Sequence, residues 1–143
     1  MDEIKLCEIC RSNNLVETHH IIKRKQAKYL ENCKLNLINL CWDHHKGTYG
    51  VHGKYGHALD QKLKADLQRN FETIFGDKEE FTREDIRKHL GISQGDVNKL
   101  CRILKSHGGI FYQEDIIRAC MGGKLVIEEG VNNEGYKNQI LGG

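Results

Sequence analysis

The clearest periodic pattern of apolar residues lies in the middle of the chain. Between residues 58 and 75 an apolar side chain returns every three or four positions, and charged side chains separate most of these positions. The apolar positions are Leu59, Leu63, Leu67, Phe71 and Ile74. A stripe with that period predicts one long amphipathic helix whose apolar face is buried.

Two helix-start signals of the Ser/Thr-x-x-acid type open the second half of the chain. Thr82 precedes Asp85 by three residues, Ser93 precedes Asp96 by three residues, and an apolar-periodic stretch follows each pair. The Gly-Ile-Ser sequence at residues 91–93 has the length and composition of the turn in a helix-turn-helix. The pattern therefore predicts a mainly α helix-turn-helix domain.

A short motif around Phe81 recurs around Phe111, where Glu-Asp-Ile follows at the same spacing. The similarity is explained equally well by chance or by a true internal repeat. In both cases the motif itself predicts a third helix that begins near Gln113. Residues 125–127 would then form a wing strand, and residues 128–143, which are rich in glycine and asparagine, a mobile tail.

The first half is predicted to contain two short strands, at residues 15–22 and 35–40, because both runs are rich in β-branched or apolar residues. The glycine and charged residues that start at Gly76 favour a hinge. We therefore predict an α+β protein with two small domains, residues 1–76 and residues 77–143. Domains of this size often depend on a metal ion for stability.

The charge balance is weak evidence for any one class of partner. The chain has a net charge of +2, and the basic excess lies in residues 1–76, whereas residues 77–143 have one more acidic than basic side chain. No apolar signal segment and no apolar run long enough to cross a bilayer is present in the sequence. These features predict no membrane partner and a reducing cytoplasm, where Cys-x-x-Cys favours metal over disulfide.

Four residues have the spacing of a structural zinc site. Cys7 and Cys10 form one pair of ligands, and Cys41 and His44 form a second pair. Two pairs that bracket a small, turn-rich unit match the tetrahedral N/S ligand set of structural Zn²⁺. The alternative is a set of buried thiols without a metal, which would leave this half of the chain short of a core.

His19 and His20 are neighbours on the first predicted strand, so their side chains point to opposite faces and serve different purposes. Metal-dependent hydrolysis of a phosphodiester needs ligands for a divalent ion and a base that takes a proton from water. Imidazole suits both tasks, because a pKa of about 6.5 leaves much of it neutral near pH 7.

Together these segments resemble the HNH endonuclease family. The resemblance is carried by His19-His20-Ile21-Ile22, Asn36-Leu37-x-x-Leu40-Cys41 and Cys41-x-x-His44-His45. It implies a ββα-metal fold over about residues 7–57, in which His19 binds the catalytic ion and His20 is the general base. It further implies that Asn36 orients the base and braces the loop, and that His45 is a second ligand of the catalytic ion.

The chain departs from the family pattern at His44, where the family usually has a cysteine. A Cys₃His zinc site is chemically ordinary, so we expect His44 to bind the structural zinc. His44 and His45 would exchange roles if the short helix began at a different residue. Mg²⁺ or Mn²⁺ is the expected catalytic ion, and imidazole ligands also suit Ni²⁺ or Zn²⁺. His52 is a candidate further ligand or phosphate contact, with an exposed loop histidine as the alternative.

Two sets of polar residues are candidates for DNA contacts. The first set follows the strand that carries the predicted base and comprises Lys23, Arg24, Lys25 and Lys28. Such residues would hold the phosphate backbone without reading sequence. The second set lies on polar positions of the second predicted helix-turn-helix element and comprises Gln94, Asn98, Lys99 and Arg102. A solvated charged face and a plain helix pair are the respective alternatives.

The leading functional hypothesis is a metal-dependent endonuclease that acts on double-stranded DNA in a bacterial or phage-infected cell, similar to phage homing enzymes. A restriction nuclease, or a packaging nuclease with a phage packaging partner, would have the same active site. Cleavage of both strands would need a homodimer or two sequential events. A hypothesis from a different class is a non-catalytic zinc-finger and helix-turn-helix regulator, which has no need for Asn36 and His45 at the matching positions.

Overall fold

The computed structural model describes residues 4–127, which form an α+β fold with five helices and two small antiparallel sheets. In chain order the elements are β1 (Glu17–His20), β2 (Leu37–Leu40), α1 (Trp42–His45), α2 (His57–Ile74), β3 (Glu80–Thr82), α3 (Arg83–Leu90), α4 (Gln94–Ile103), β4 (Ile110–Tyr112) and α5 (Gln113–Cys120). Short 3₁₀ helices at Lys28–Leu30 and Lys34–Asn36 connect β1 to β2. The predicted tail at residues 128–143 lies outside the described residues.

The first sheet is smaller than the sequence pattern predicted. β1 and β2 are antiparallel strands of four residues each, with His19 opposite Ile38 and His20 opposite Leu37. The backbone leaves the ladder after His20 because Asn36 takes over the hydrogen bonds there. Its side chain accepts from Ile22 N at 2.7 Å and donates to Ile22 O at 3.0 Å, and Asn36 is fully buried.

The predicted amphipathic helix is confirmed as α2. Its buried face is formed by Leu63, Ala65, Leu67 and Phe71. Ion pairs between Lys62 and Asp66 at 3.0 Å and between Lys64 and Asp60 at 2.9 Å lie along its surface at the i,i+4 spacing. None of the helices in residues 4–127 is both long and apolar enough to cross a membrane.

Both predicted helix-start signals in the second half are confirmed. Thr82 and Asp85 form a reciprocal capping box at the start of α3, and the Ser93 side chain accepts from Asp96 N at the start of α4. The chain turns between the helices at Gly91, whose φ of 66° lies in the left-handed region that glycine occupies without strain.

The two copies of the repeated motif lie against each other. Each begins with a strand that the sequence did not predict, and β3 pairs antiparallel with β4 so that Phe81 is directly opposite Phe111. α3 follows the first strand and α5, which begins at Gln113 as predicted, follows the second. Pairing of two three-residue strands is a tertiary contact, which a window of local sequence cannot reveal.

The predicted wing strand at residues 125–127 is wrong, because this segment belongs to no strand or sheet. The side-chain amide of Gln68 on α2 takes both backbone groups of Val126, accepting from its N–H at 2.6 Å and donating to its carbonyl at 3.1 Å. A side chain therefore supplies the hydrogen bonds that a neighbouring strand would have supplied.

The buried residues form one hydrophobic cluster that extends across the predicted boundary at residue 76. The Tyr29 hydroxyl donates to the carbonyl of Ala119 at 2.7 Å, and the Cys33 thiol donates to the carbonyl of Leu90 at 3.4 Å. α4 packs against the Lys28–Leu30 turn and α5 packs against α2. The division into two domains stays a prediction, but the two halves share one core.

We expect Asn36→Ala to lower the free energy of unfolding by about 2–3 kcal/mol, because it leaves the buried backbone groups of Ile22 without partners. Urea denaturation checks this. Asn70→Ala, on the exposed face of α2, is the matched control and should change stability by less than about 0.5 kcal/mol. Equal effects of the two substitutions would contradict the bracing role of Asn36.

Candidate metal centres

The first cluster of ligand atoms brings together Cys7, Cys10, Cys41 and His44. The two N-terminal cysteines lie on a tight turn closed by Arg11 N to Cys7 O at 2.8 Å. The other two residues belong to α1 and its start. Cys41 directly precedes the helix, and His44 lies within it. The chain segments before β1 and after β2 thus meet at one point.

The spacing of these atoms fits a tetrahedral zinc ion. Zn–S bonds of about 2.3 Å and a Zn–N bond of about 2.0 Å imply tetrahedral edges of about 3.8 Å between two sulfurs and about 3.5 Å between sulfur and nitrogen. Cys10 Sγ and Cys41 Sγ are 3.7 Å apart. His44 Nδ1 is 3.6 Å from Cys7 Sγ and 3.3 Å from Cys41 Sγ. The Cys₃His cluster is therefore compatible with structural zinc.

The surroundings of Cys7 favour its thiolate form. Burial of the thiol opposes its ionisation, but hydrogen bonds from the backbone of Cys41, Cys10 and Ile9 outweigh this effect and lower the pKa of Cys7 to about 6. The thiolate is the form that binds metal, so this sulfur is largely in its ligand form near neutral pH.

The second cluster consists of three histidines from three different elements. His19 lies on β1, His45 on α1, and His52 in the glycine-rich loop between α1 and α2. Their ligand nitrogens all lie within 4.8 Å of one another. The His45 backbone carbonyl accepts from His52 N at 2.8 Å, which ties the loop to the helix. Of the two arrangements that the sequence left open, the structure has the expected one, with His44 beside the cysteines and His45 beside the other histidines.

His19 provides the test of whether these three residues fit a metal ion. Its side chain is buried, with 7% of its surface exposed, and its Nε2 is the one buried side-chain polar atom in residues 4–127 that has no hydrogen-bond partner. Leaving a buried nitrogen unpaired is costly unless another ligand satisfies it. A divalent ion bound by the three histidines, with further positions open to water or phosphate, would remove that cost.

Glu17 fixes the orientation of the His45 ring. The Glu17 carboxylate accepts from His45 Nδ1 at 3.0 Å and also pairs with Lys46 at 3.4 Å. With its proton on Nδ1, His45 presents the lone pair of Nε2, which is the arrangement that carboxylate–histidine pairs give to metal ligands. Sequence reasoning missed Glu17, although its position two residues before His19 on a strand places both side chains on one face.

Burial and neighbouring groups disfavour protonation of two rings of the histidine cluster, His19 and His52. Burial, together with the neighbouring His52 and His45, lowers the pKa of His19 to about 4. Burial also lowers the pKa of His52, with smaller contributions from His45 and the positive charge of Lys23. Rings that resist protonation retain the lone pairs that a metal ion needs.

The predicted base, His20, lies on the opposite face of β1 from His19 but stays close enough that its charge contributes to lowering the pKa of His19. His20 Nε2 donates to the carbonyl of Glu31 at 3.0 Å. Because a carbonyl only accepts, this contact places the proton on Nε2 and leaves Nδ1 as the acceptor. The side-chain hydrogen bonds of Asn36 do not go to His20. They go to the backbone of Ile22, two residues after His20, and to the carbonyl of Leu30, which directly precedes Glu31.

The candidate DNA-contacting residues divide into two surfaces. Lys23, Arg24, Lys25 and Lys28 are all exposed on the segment after β1. Arg24 pairs with Glu31 at 3.5 Å. On α4, Gln94, Lys99 and Arg102 are exposed, while Asn98 is half-buried and accepts from Arg83 and Gln94. All of these side chains except Asn98 are exposed, as a contact with DNA would require. Contact with DNA itself stays a prediction.

A cavity of about 700 Å³ lies apart from both clusters. Glutamates dominate its polar lining, which includes Glu72, Glu79, Glu80 and Glu114. Four carboxylates would repel a phosphate backbone, so a nucleic acid has no electrostatic reason to enter there.

Comparison with known proteins adds no family. No protein-family model matches the chain, and neither the curated proteins nor the solved structures contain a match.

We expect the two clusters to bind metal independently. Cys10→Ala removes one corner of the Cys₃His tetrahedron and should abolish retention of zinc, whereas His45→Ala should leave it intact. Zinc content after dialysis against a weak chelator measures both. Loss of this zinc in His45→Ala would show that the clusters are not separate sites.

We also expect the His19 ring to make stability depend on pH. A histidine in the unfolded chain ionises near pH 6.5, whereas the pKa of His19 in the folded protein is about 4. Between these two pKa values the unfolded state binds a proton that the folded state does not. The contribution of the neutral His19 ring to the free energy of unfolding is therefore full above about pH 6.5 and declines as the pH falls toward 4. Urea unfolding of zinc-loaded protein at about pH 7 and about pH 5 measures the decline, which should be smaller in His19→Gln. Identical pH dependence in both proteins would contradict it.

Proposed function

We propose that the protein is a metal-dependent DNA endonuclease of the HNH type, which hydrolyses phosphodiester bonds. The observation that supports this best is the unpaired, buried Nε2 of His19, which faces a cluster completed by His45 and His52. A purely structural zinc protein would have no reason to keep three imidazoles together while the buried Nε2 of His19 lacks a hydrogen-bond partner.

In this proposal the three histidines hold a divalent ion, for which Mg²⁺ and Mn²⁺ are the first candidates and Ni²⁺ and Zn²⁺ the alternatives. The ion would polarise the scissile phosphate and stabilise the charge that develops on the leaving oxygen. The residues around the ion would orient its ligands. Glu17 keeps the His45 ring in the orientation that presents Nε2, and the backbone of His45 holds His52 in place.

His20 is the proposed general base. Its Nε2–H bond to the Glu31 carbonyl fixes the ring and its tautomer, so that Nδ1 can accept a proton from a water molecule that attacks phosphorus. Its side chain is only partly buried, which allows water to reach it. Asn36 acts through the backbone on either side of this contact and is therefore a positioning residue.

The proposed substrate is double-stranded DNA. Lys23, Arg24, Lys25 and Lys28 would contact phosphates beside the histidine cluster, and the effect of Lys23 on the pKa of His52 indicates that this charge lies near it. The helix pair α3–α4 would hold the DNA through Gln94, Asn98, Lys99 and Arg102. A phage or mobile-element homing role is the proposed setting, with restriction and packaging as the related ones.

The test is nicking of a supercoiled plasmid by the zinc-loaded protein with Mg²⁺ or Mn²⁺, with brief EDTA treatment as the metal control. We expect His20→Ala to lower the rate about a hundredfold or more, since general-base catalysis typically contributes that much. His57→Ala, an exposed histidine at the start of α2, should cut as well as wild type.

Zinc content must be unchanged in both variants for this comparison to report on catalysis. Equal cutting by His20→Ala and wild type would remove His20 as the base. Binding of plasmid without cutting, under every metal condition, would overturn the nuclease and favour the non-catalytic DNA-binding regulator.

A further inference from the structure

The loop that carries His52 has a triplet pattern in its sequence. Glycine recurs at every third position from residue 47 to residue 56, and each triplet between these glycines ends in a ring-bearing side chain. The glycines are Gly47, Gly50, Gly53 and Gly56. The three rings belong to Tyr49, His52 and Tyr55.

The backbone turns this pattern into a closely packed spiral. The N–H of each of the last three glycines donates to the carbonyl of the glycine three residues earlier, at 2.9 Å for Gly50, 2.8 Å for Gly53 and 3.2 Å for Gly56. A Cβ at Gly53 would overlap the Gly47 carbonyl oxygen, and one at Gly56 would overlap that of Gly50. The glycines therefore allow successive turns to lie in contact, which fixes the direction of each ring.

The two tyrosines form a pair on the outside of this spiral. Their ring centroids are 5.5 Å apart with an interplanar angle of 31°. Tyr49 is 72% exposed and Tyr55 is 54% exposed, so both rings are accessible to solvent. The ammonium group of Lys54 lies 5.3 Å from the centroid of the Tyr55 ring and adds a positive charge beside the pair.

The position of the pair relates it to the histidine cluster. Each tyrosine is three residues from His52, so its Cα lies within about 11 Å of the Cα of that residue. In B-DNA the phosphates follow one another at about 3.4 Å per strand along the axis. A strand whose scissile phosphate lay at His52 would thus have its neighbouring bases within reach of the tyrosines.

We propose that Tyr49 and Tyr55 form a stacking platform for an unpaired nucleobase next to the scissile phosphate. The inference rests on the proposed nuclease function and narrows its substrate to double-stranded DNA that carries an unpaired base at the cleavage position. Bases inside a duplex have their faces covered by their neighbours, whereas an unpaired base gains stacking on an aromatic ring, and nearby lysine contacts the adjacent phosphate.

The test uses the full-length, zinc-loaded protein without added divalent ion and three DNA probes that contain 2-aminopurine. The fluorescent base is fully paired in the first, unpaired in a bulge in the second, and in a single strand in the third. We expect binding to quench fluorescence in the second and third probes, and affinity for them to exceed affinity for the paired duplex.

The variants separate stacking from other roles of the tyrosines. The double variant Tyr49→Leu/Tyr55→Leu should lose about tenfold or more affinity for unpaired probes, and should bind the paired duplex within about twofold of wild type. Tyr49→Phe/Tyr55→Phe keeps the aromatic faces and should behave as wild type. Unchanged zinc content and thermal melting in both double variants, expected from the exposure of the rings, confirm that they fold.

Equal affinity of wild-type protein for paired and unpaired probes would overturn the platform, as would unchanged binding by the leucine variant. Equal loss in the phenylalanine and leucine variants would also overturn it, because the hydroxyl groups would then be responsible. Plasmid nicking distinguishes this failure from failure of the nuclease. Cutting without any preference for unpaired DNA removes only the platform, whereas preference without cutting under any metal condition removes only the nuclease.

Discussion

The contact between His44 and the cysteine sulfurs determines where α1 lies, and the arrangement of the histidine cluster depends on it. A helix of four residues cannot be stable by itself, since a single turn fixes several dihedral angles for few hydrogen bonds. Here Cys41 and His44 hold both ends of the turn at the Cys₃His cluster. Because neighbouring residues on a helix point about 100° apart, fixing His44 toward the sulfurs sends His45 toward His19.

The short sheet formed by β1 and β2, like the short helix α1, depends on contacts from outside it. β1 and β2 share four residue pairs, too few to hold a sheet alone. Asn36 extends the pairing with side-chain bonds to Ile22, and the Lys28–Leu30 turn beyond it packs against α4. The second half of the chain therefore supplies part of the core on which the first half depends. Substitutions in α4 or α5 should therefore alter the position of the segment between β1 and β2, through the packing against Lys28–Leu30.

Local sequence predicted those features that depend on local chemistry. The stripe of α2, the caps of α3 and α4, and the two ligand pairs each need only a short window, and the structure has all of them. The pairing of β3 with β4 and the docking of Val126 on Gln68 join residues far apart in sequence, so no local pattern contains them. Glu17 was missed for a related reason, because its role exists only when α1 brings His45 to it.

The choice of ligands has an electrostatic consequence for the proposed reaction. Three neutral imidazoles would leave the charge of a divalent ion uncompensated by its ligands, whereas carboxylate ligands would cancel much of it. The Glu17 carboxylate acts on this cluster indirectly, through its hydrogen bond to His45, and Lys46 offsets its charge. The glutamates of the large cavity line a separate part of the surface. In the proposed nuclease a divalent ion on this cluster would attract a phosphate anion, and the exposed basic residues after β1 would add to that attraction.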